Sequence, residues 1–151
     1  MRIRIGLRLL AVALVATACG NSGMNHSGMN MTAPPPSATA AKTVDVVMKD
    51  ISFTPSTLSA KQGDTVKFRF TNTGALLHEA VIGNADVQAA AEMAMQQGGH
   101  QGMDMTSVVE VKPGATGELT LTFDKTGEVL IGCHQPGHYA GGMRATVTVS
   151  A

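Results

Sequence analysis

Tryptophan is absent from this chain of 151 residues, tyrosine occurs once and phenylalanine four times. With aromatics at 3%, a core has to rest on Val, Leu and Ile around those few Phe rings. Charge is sparse too, at 15% of residues. Of the 11 basic residues, Arg2, Arg4 and Arg8 sit at the very start; the remaining 8 face 11 acidic residues, a balance near −3. That excludes the basic surface a nucleic-acid partner requires. Cysteine occurs only at Cys19 and Cys133, too few for a disulfide framework. No apolar run approaches the ~20 residues of a membrane-spanning helix. Methionine goes the other way: ten in this length is an excess that needs a reason.

The first residues read as an export signal. Arg2, Arg4 and Arg8 precede the apolar stretch Leu9 to Ala16, the charged and apolar regions of a signal peptide. Ala16-Thr17-Ala18-Cys19, followed by Gly20, resembles the lipobox at which bacterial lipoproteins are cleaved and acylated. The expectation is a lipoprotein signal peptide over 1–18, a lipid on Cys19, and a membrane anchor through that lipid. Cleavage after Ala18 with Cys19 left free is the plainer alternative. Both place the chain in the periplasm or cell envelope. Acylation of Cys19 would leave Cys133 as the one free thiol, and a lone thiol in an exported protein is a reactive group or a metal ligand. Residues 19–42 are mostly Asn, Ser, Gly, Met, Thr, Ala and Pro, with Pro34-Pro35-Pro36 inside. This composition cannot bury a core and reads as a flexible tether. The folded domain is expected over 43–151.

Short alternating runs then take over. Val44, Val46 and Met48 alternate with Asp45, Val47 and Lys49; Val66, Phe68 and Phe70 alternate with Lys67, Arg69 and Thr71. This is the period of half-buried strands, and the second run is read as antiparallel. Further strands are read at 57–59, 78–82, 108–111, 119–123, 128–133 and 144–149. Thr54-Pro55-Ser56, Lys61-Gln62-Gly63-Asp64 (a hairpin-type turn) and Lys112-Pro113-Gly114 punctuate them. Seven to eight short strands between Gly and Pro turns predict an all-β Greek-key β-sandwich. An insertion at about 84–106 breaks the rhythm. There Asp86 to Gln97 is rich in helix formers and stops at Gly98-Gly99, predicting a short helix and then a loop.

The chemistry lies near the C-terminus, in Cys133-His134-Gln135-Pro136-Gly137-His138-Tyr139-Ala140-Gly141-Gly142-Met143. Cys133, His138 and Met143 follow one another with four residues between each pair. Thiolate and thioether are soft ligands and imidazole is borderline, a set that suits copper. Two His and one Cys in a plane, with a distant axial Met, is the pattern of a blue-copper centre. The second His must come from elsewhere, and His78 is the candidate. It follows the turn Asn72-Thr73-Gly74 and opens a strand; in a Greek-key sandwich a strand start can meet a later loop at the same pole. Taken alone, a His at a strand start is more often a solvent-facing residue.

Asn72-Thr73-Gly74 ahead of His78-Glu79-Ala80-Val81-Ile82-Gly83, together with Cys133 through Met143, resembles the cupredoxins, copper proteins of the plastocyanin/azurin type. The resemblance covers about residues 44–150. It is strongest to exported bacterial members whose loop reads Cys-His-x-Pro-Gly-His-x-x-x-Gly-Met. It implies a Greek-key sandwich with one type 1 copper at one end, held by His78, Cys133, His138 and Met143. Cys133 would then supply a short covalent bond with intense visible absorption. His78 and His138 would complete the plane, and Met143 would be the long axial ligand that tunes potential. Many relatives carry Asn after the first His, where it ties the two ligand loops together. Here that residue is Glu79, so the surroundings of the metal differ. His134 should point away from the copper, to the surface or into a role in electron or metal access.

Met24, His26, Met29 and Met31 lie in the tether; Met93, Met95, His100, Met103 and Met105 lie in the insertion. Core packing would account for Met93 and Met95 on a helix, but not for Met in a tether with no core. Exposed thioethers in an oxidising compartment invite sulfoxide formation. The Met24, His26, Met29, Met31 group and the His100, Met103, Met105 group therefore read as auxiliary ligands for additional Cu(I). Two functions follow. One is one-electron transfer with a redox partner protein. The other is copper handling (tolerance, storage or delivery) with a copper-transport protein as partner. A copper enzyme is not expected, because such enzymes use further domains and copper centres for which this chain lacks ligands. The chain is expected to act as a monomer.

Overall fold

Apolar residues at every second position give the chain strands with one wet and one dry face, and two such sheets close over a core. The structure, a computed structural model, describes residues 41–100 and 104–151. In chain order its strands are β1 (Lys42–Lys49), β2 (Ser52–Thr54), β3 (Thr57–Lys61), β4 (Thr65–Asn72), β5 (His78–Gly83), β6 (Val108–Val111), β7 (Thr116–Thr122), β8 (Gly127–Gly132) and β9 (Arg144–Ser150). Helix α1 (Ala85–Gln96) lies between β5 and β6. One sheet has the order β2-β1-β4-β7, the other β3-β9-β8-β5-β6. This is the expected all-β Greek-key sandwich. The described residues form nine strands rather than seven to eight, because Ser52–Thr54, which leads into the Pro turn, pairs with β1.

Two local readings change. β4 runs antiparallel to β7 but parallel to β1, so it is not a purely antiparallel strand. Lys61 to Asp64 does not close a hairpin: β3 pairs with β9 in one sheet and β4 belongs to the other. The turn carries the chain across the sandwich.

The four Phe residues are all buried. Phe68 and Phe70 stack at 5.9 Å, and Phe53 meets Phe70 edge-on at 6.3 Å. The opposite face of β4 is wet and carries exposed ion pairs, Lys67 with Glu118 and Arg69 with Asp45, which contribute little to stability.

The insertion forms the expected helix. The Asn84 side chain caps it by accepting the Val87 N–H at 3.0 Å. Val87 and Ala91 of α1 pack on Val81 and Val108, so β5 is covered on both faces. Its first five residues are all buried. Met93 and Met105 are 59% and 52% exposed; core packing does not account for Met93. No helix among the described residues is long and apolar enough to cross a membrane. The signal peptide read over 1–18, the lipidation site Cys19, the tether residues Met24, His26, Met29 and Met31, and Met103 all lie outside the described residues.

Candidate metal centre

Strand alternation lays out the site. On β5, Ala80 and Ile82 belong to the core between the sheets, while Val81 packs towards α1. His78 shares the inner face and Glu79 the outer. Cys133 directly follows β8, and its side chain joins the core. His78 Nδ1 lies 3.9 Å and His138 Nδ1 3.4 Å from Cys133 Sγ. These three donor atoms all lie within 4.8 Å of one another. His78, Cys133 and Met143 are fully buried, and His138 is 8% exposed. Of the four expected ligands, His138 alone reaches solvent.

The loop closes on itself to bring Met143 back. The His138 N–H donates to the Gln135 carbonyl at 2.8 Å, the Met143 N–H to the His138 carbonyl at 3.0 Å, and the Cys133 N–H to the Met143 carbonyl at 3.2 Å. Gly137 and Gly142 turn the chain with φ of 82° and 96°, a region that side chains with a Cβ rarely adopt.

The donor set fits a trigonal metal. Bonds of about 2.0 Å to nitrogen and 2.3 Å to sulfur, at 120°, put neighbouring donors about 3.5–3.7 Å apart. The observed 3.4 and 3.9 Å bracket that spacing. Burial pushes the Cys133 thiol from 9.0 up to about 11. The backbone N–H groups of Glu79 and Gln135 hydrogen-bond to the sulfur and pull the other way, favouring a thiolate. Burial, then the neighbouring His78 ring, holds His138 below its ordinary value.

Three polar residues around the site had no local signal in the sequence. Asp50 lies 3.2 Å from His78 Nε2 and accepts the Ala75 and Leu76 N–H groups; these backbone bonds are the main reason its carboxyl sits below the usual range. With Nε2–H turned to Asp50, His78 presents Nδ1 to the site. Gln88 and Glu92 of α1 meet His134, with Nε2 2.8 Å from Gln88 Oε1 and Nδ1 2.9 Å from Glu92 Oε2. The His134 ring turns to α1 and not to the ligands, but it is 1% exposed rather than on the surface. Its partners are supplied by the insertion, which local sequence could not show. His100 lies with Nε2 2.7 Å from Glu79 Oε2, and the Glu79 side chain is fully buried.

Comparison with known proteins agrees with this geometry. The model of copper-binding proteins of the plastocyanin/azurin family matches residues 40–150. The copper-resistant cuproprotein CopI of Pseudomonas aeruginosa is 31% identical, over 93% of this chain and 93% of that protein. CopI of Rubrivivax gelatinosus is 32% identical, over 97% and 96%. Among solved structures, dithionite-reduced auracyanin from Roseiflexus castenholzii superposes with a TM-score of 0.65 at 26% identity, covering 75% of this chain and all of that one.

Proposed function

The chain belongs to the plastocyanin/azurin family of copper-binding proteins, and from that premise we propose that it handles copper in the cell envelope, by binding rather than by catalysis. The observation that carries this reading is the buried meeting of His78 Nδ1, Cys133 Sγ and His138 Nδ1 within 4.8 Å. It occurs in a chain whose near full-length relatives are copper-resistant cuproproteins. His78, Cys133, His138 and Met143 would hold a type 1 copper. Copper bound there supplies one-electron chemistry and the visible absorption of a copper–thiolate bond. The protein's part is to hold the donors in place, keep water out, and expose one edge at His138.

The Met and His groups fit the same role. Met24, His26, Met29 and Met31, with Met103 and Met105, offer soft, exchangeable positions for additional Cu(I); His100, engaged at Nε2 by Glu79, can join them only through Nδ1. The Arg-rich, apolar start and Cys19 support export and a lipid anchor in the periplasm, with a copper-transport protein as partner. A second reading, one-electron carrier, is favoured by the one-electron chemistry of a type 1 site and by the exposed edge of His138.

Copper titration followed by visible absorption separates the two. Copper handling predicts one copper per chain in the coloured site and further Cu(I) beyond it. That excess should disappear when Met24, Met29, Met31, Met103 and Met105 are changed to Leu. A single copper that exchanges electrons rapidly with a cytochrome turns the reading to electron transfer. If Cys133→Ser retains the coloured band, the site itself is wrong.

A further inference from the structure

We propose that helix α1 and His100 form a clamp behind the copper centre, with Glu79 and His134 as positioning residues for His78 and Cys133. The proposal rests on the ligand assignment above. It arises from where the sheet stops. The β5–β8 ladder ends at the pair Val81 and Gly132, so no backbone ladder joins the two strands where the ligands stand. Glu79 takes over there. Its backbone N–H hydrogen-bonds to Cys133 Sγ, and its carboxylate Oε1 accepts the His134 N–H at 2.9 Å. Each contact spans from the residue beside one ligand to the other ligand or its neighbour.

The insertion then fixes both positioning residues from the outer face. His100 Nε2 lies 2.7 Å from Glu79 Oε2, with side chains 7% and 0% exposed. A carboxylate held at both oxygens cannot rotate away from His134. The His134 ring is held in turn by Gln88 and Glu92 and by stacking on Tyr139 at 4.4 Å. Gln88 is oriented for this, because its amide nitrogen donates to the Val81 and Leu130 carbonyls at 3.0 and 3.2 Å, leaving Oε1 for His134. None of these side-chain contacts belongs to the backbone ladders of the two sheets. They converge on the two residues that directly follow His78 and Cys133.

The test uses the full copper-loaded chain and variants outside the set His78, Cys133, His138 and Met143. His100→Ala should raise the Cu(II) dissociation rate about 10- to 100-fold, the usual cost of losing a ligand's supporting partner. It should also shift the copper–thiolate absorption bands and the copper hyperfine splitting. His100→Gln, whose amide can still reach Glu79, should restore both. Glu92→Gln, on the exposed side of α1, should move the same readouts in a chain that folds normally. If His100→Ala and Glu92→Gln keep the wild-type spectrum and a dissociation rate within about twofold, the clamp is refuted. A lowered melting temperature with an unmoved spectrum refutes it equally, because that is a structural role alone. A wild-type chain that shows no copper–thiolate band overturns the ligand assignment and this proposal with it. A normal wild-type band with unmoved variants overturns the clamp only.

Discussion

The Cys133 thiol is held protonated by burial up to about pH 11, and His138 is held below its ordinary value. At neutral pH, copper therefore displaces a proton from the thiol and none from His138. Uptake should release about one proton per copper, measured by calorimetry in two buffers of different protonation enthalpy. Release of none would remove Cys133 from the ligand set. The same shift carries a stability sign. The folded chain keeps a proton that the unfolded chain loses above 9.0, so the contribution is intact below that pH and is lost as pH rises towards 11. The copper-free chain should lose melting temperature across that window, and Cys133→Ser should lack the step. Asp50 makes a separate case. It is 44% exposed on its side chain yet lies 3.2 Å from the buried His78 Nε2. Asp50→Ala should weaken copper binding about 10- to 100-fold in competition with a chelator, and Asp50→Asn, which keeps an acceptor, should recover most of it.

Strands were readable because period two is written in single residues. Val66, Phe68 and Phe70 face inward and Lys67 and Arg69 outward, as their polarity dictates. What period two does not encode is which sheet a strand joins. Lys61 to Asp64 has the residues of a tight turn whether it closes a hairpin or crosses between sheets, so composition alone does not distinguish the two. The helix was legible from its composition and from Gly98-Gly99, but its seat was not. That seat depends on Gly132, where a Cβ would run into Gln88 Oε1 and the Tyr139 ring. Gly132→Ala should therefore push Gln88 off His134 and cost about 1–3 kcal/mol in urea unfolding of the copper-free chain. Asn84→Ala, which removes only the helix cap, should cost about 1 kcal/mol. A Gly132→Ala chain as stable as the wild type would mean that α1 does not pack closely on β8.

The ligand set was legible at the scale of the molecule because three of its members lie within one short loop, and the fourth opens a strand that the sandwich topology returns to the same pole. Asp50, Gln88 and Glu92 were not legible: each meets its histidine across 28 to 46 residues of sequence, and none differs in type from an ordinary surface residue. These distant partners bear on what copper does for the fold. Cys133 and Met143 belong to the same core cluster as Phe53, Phe68 and Phe70, so the site is a corner of the core and not an appendage that metal must organise. His78 is held by Asp50, and His134 beside Cys133 by Gln88 and Glu92, through contacts between protein side chains. Copper should then add stability without creating structure. At a free copper concentration a thousand times the dissociation constant, mass action contributes about 4 kcal/mol, which for a domain of this size raises the melting temperature by about 10–20 °C. Chelation should remove that increment and leave a cooperative melt and dispersed amide NMR resonances. A copper-free chain with collapsed resonances would show instead that the ligands depend on the metal to find one another.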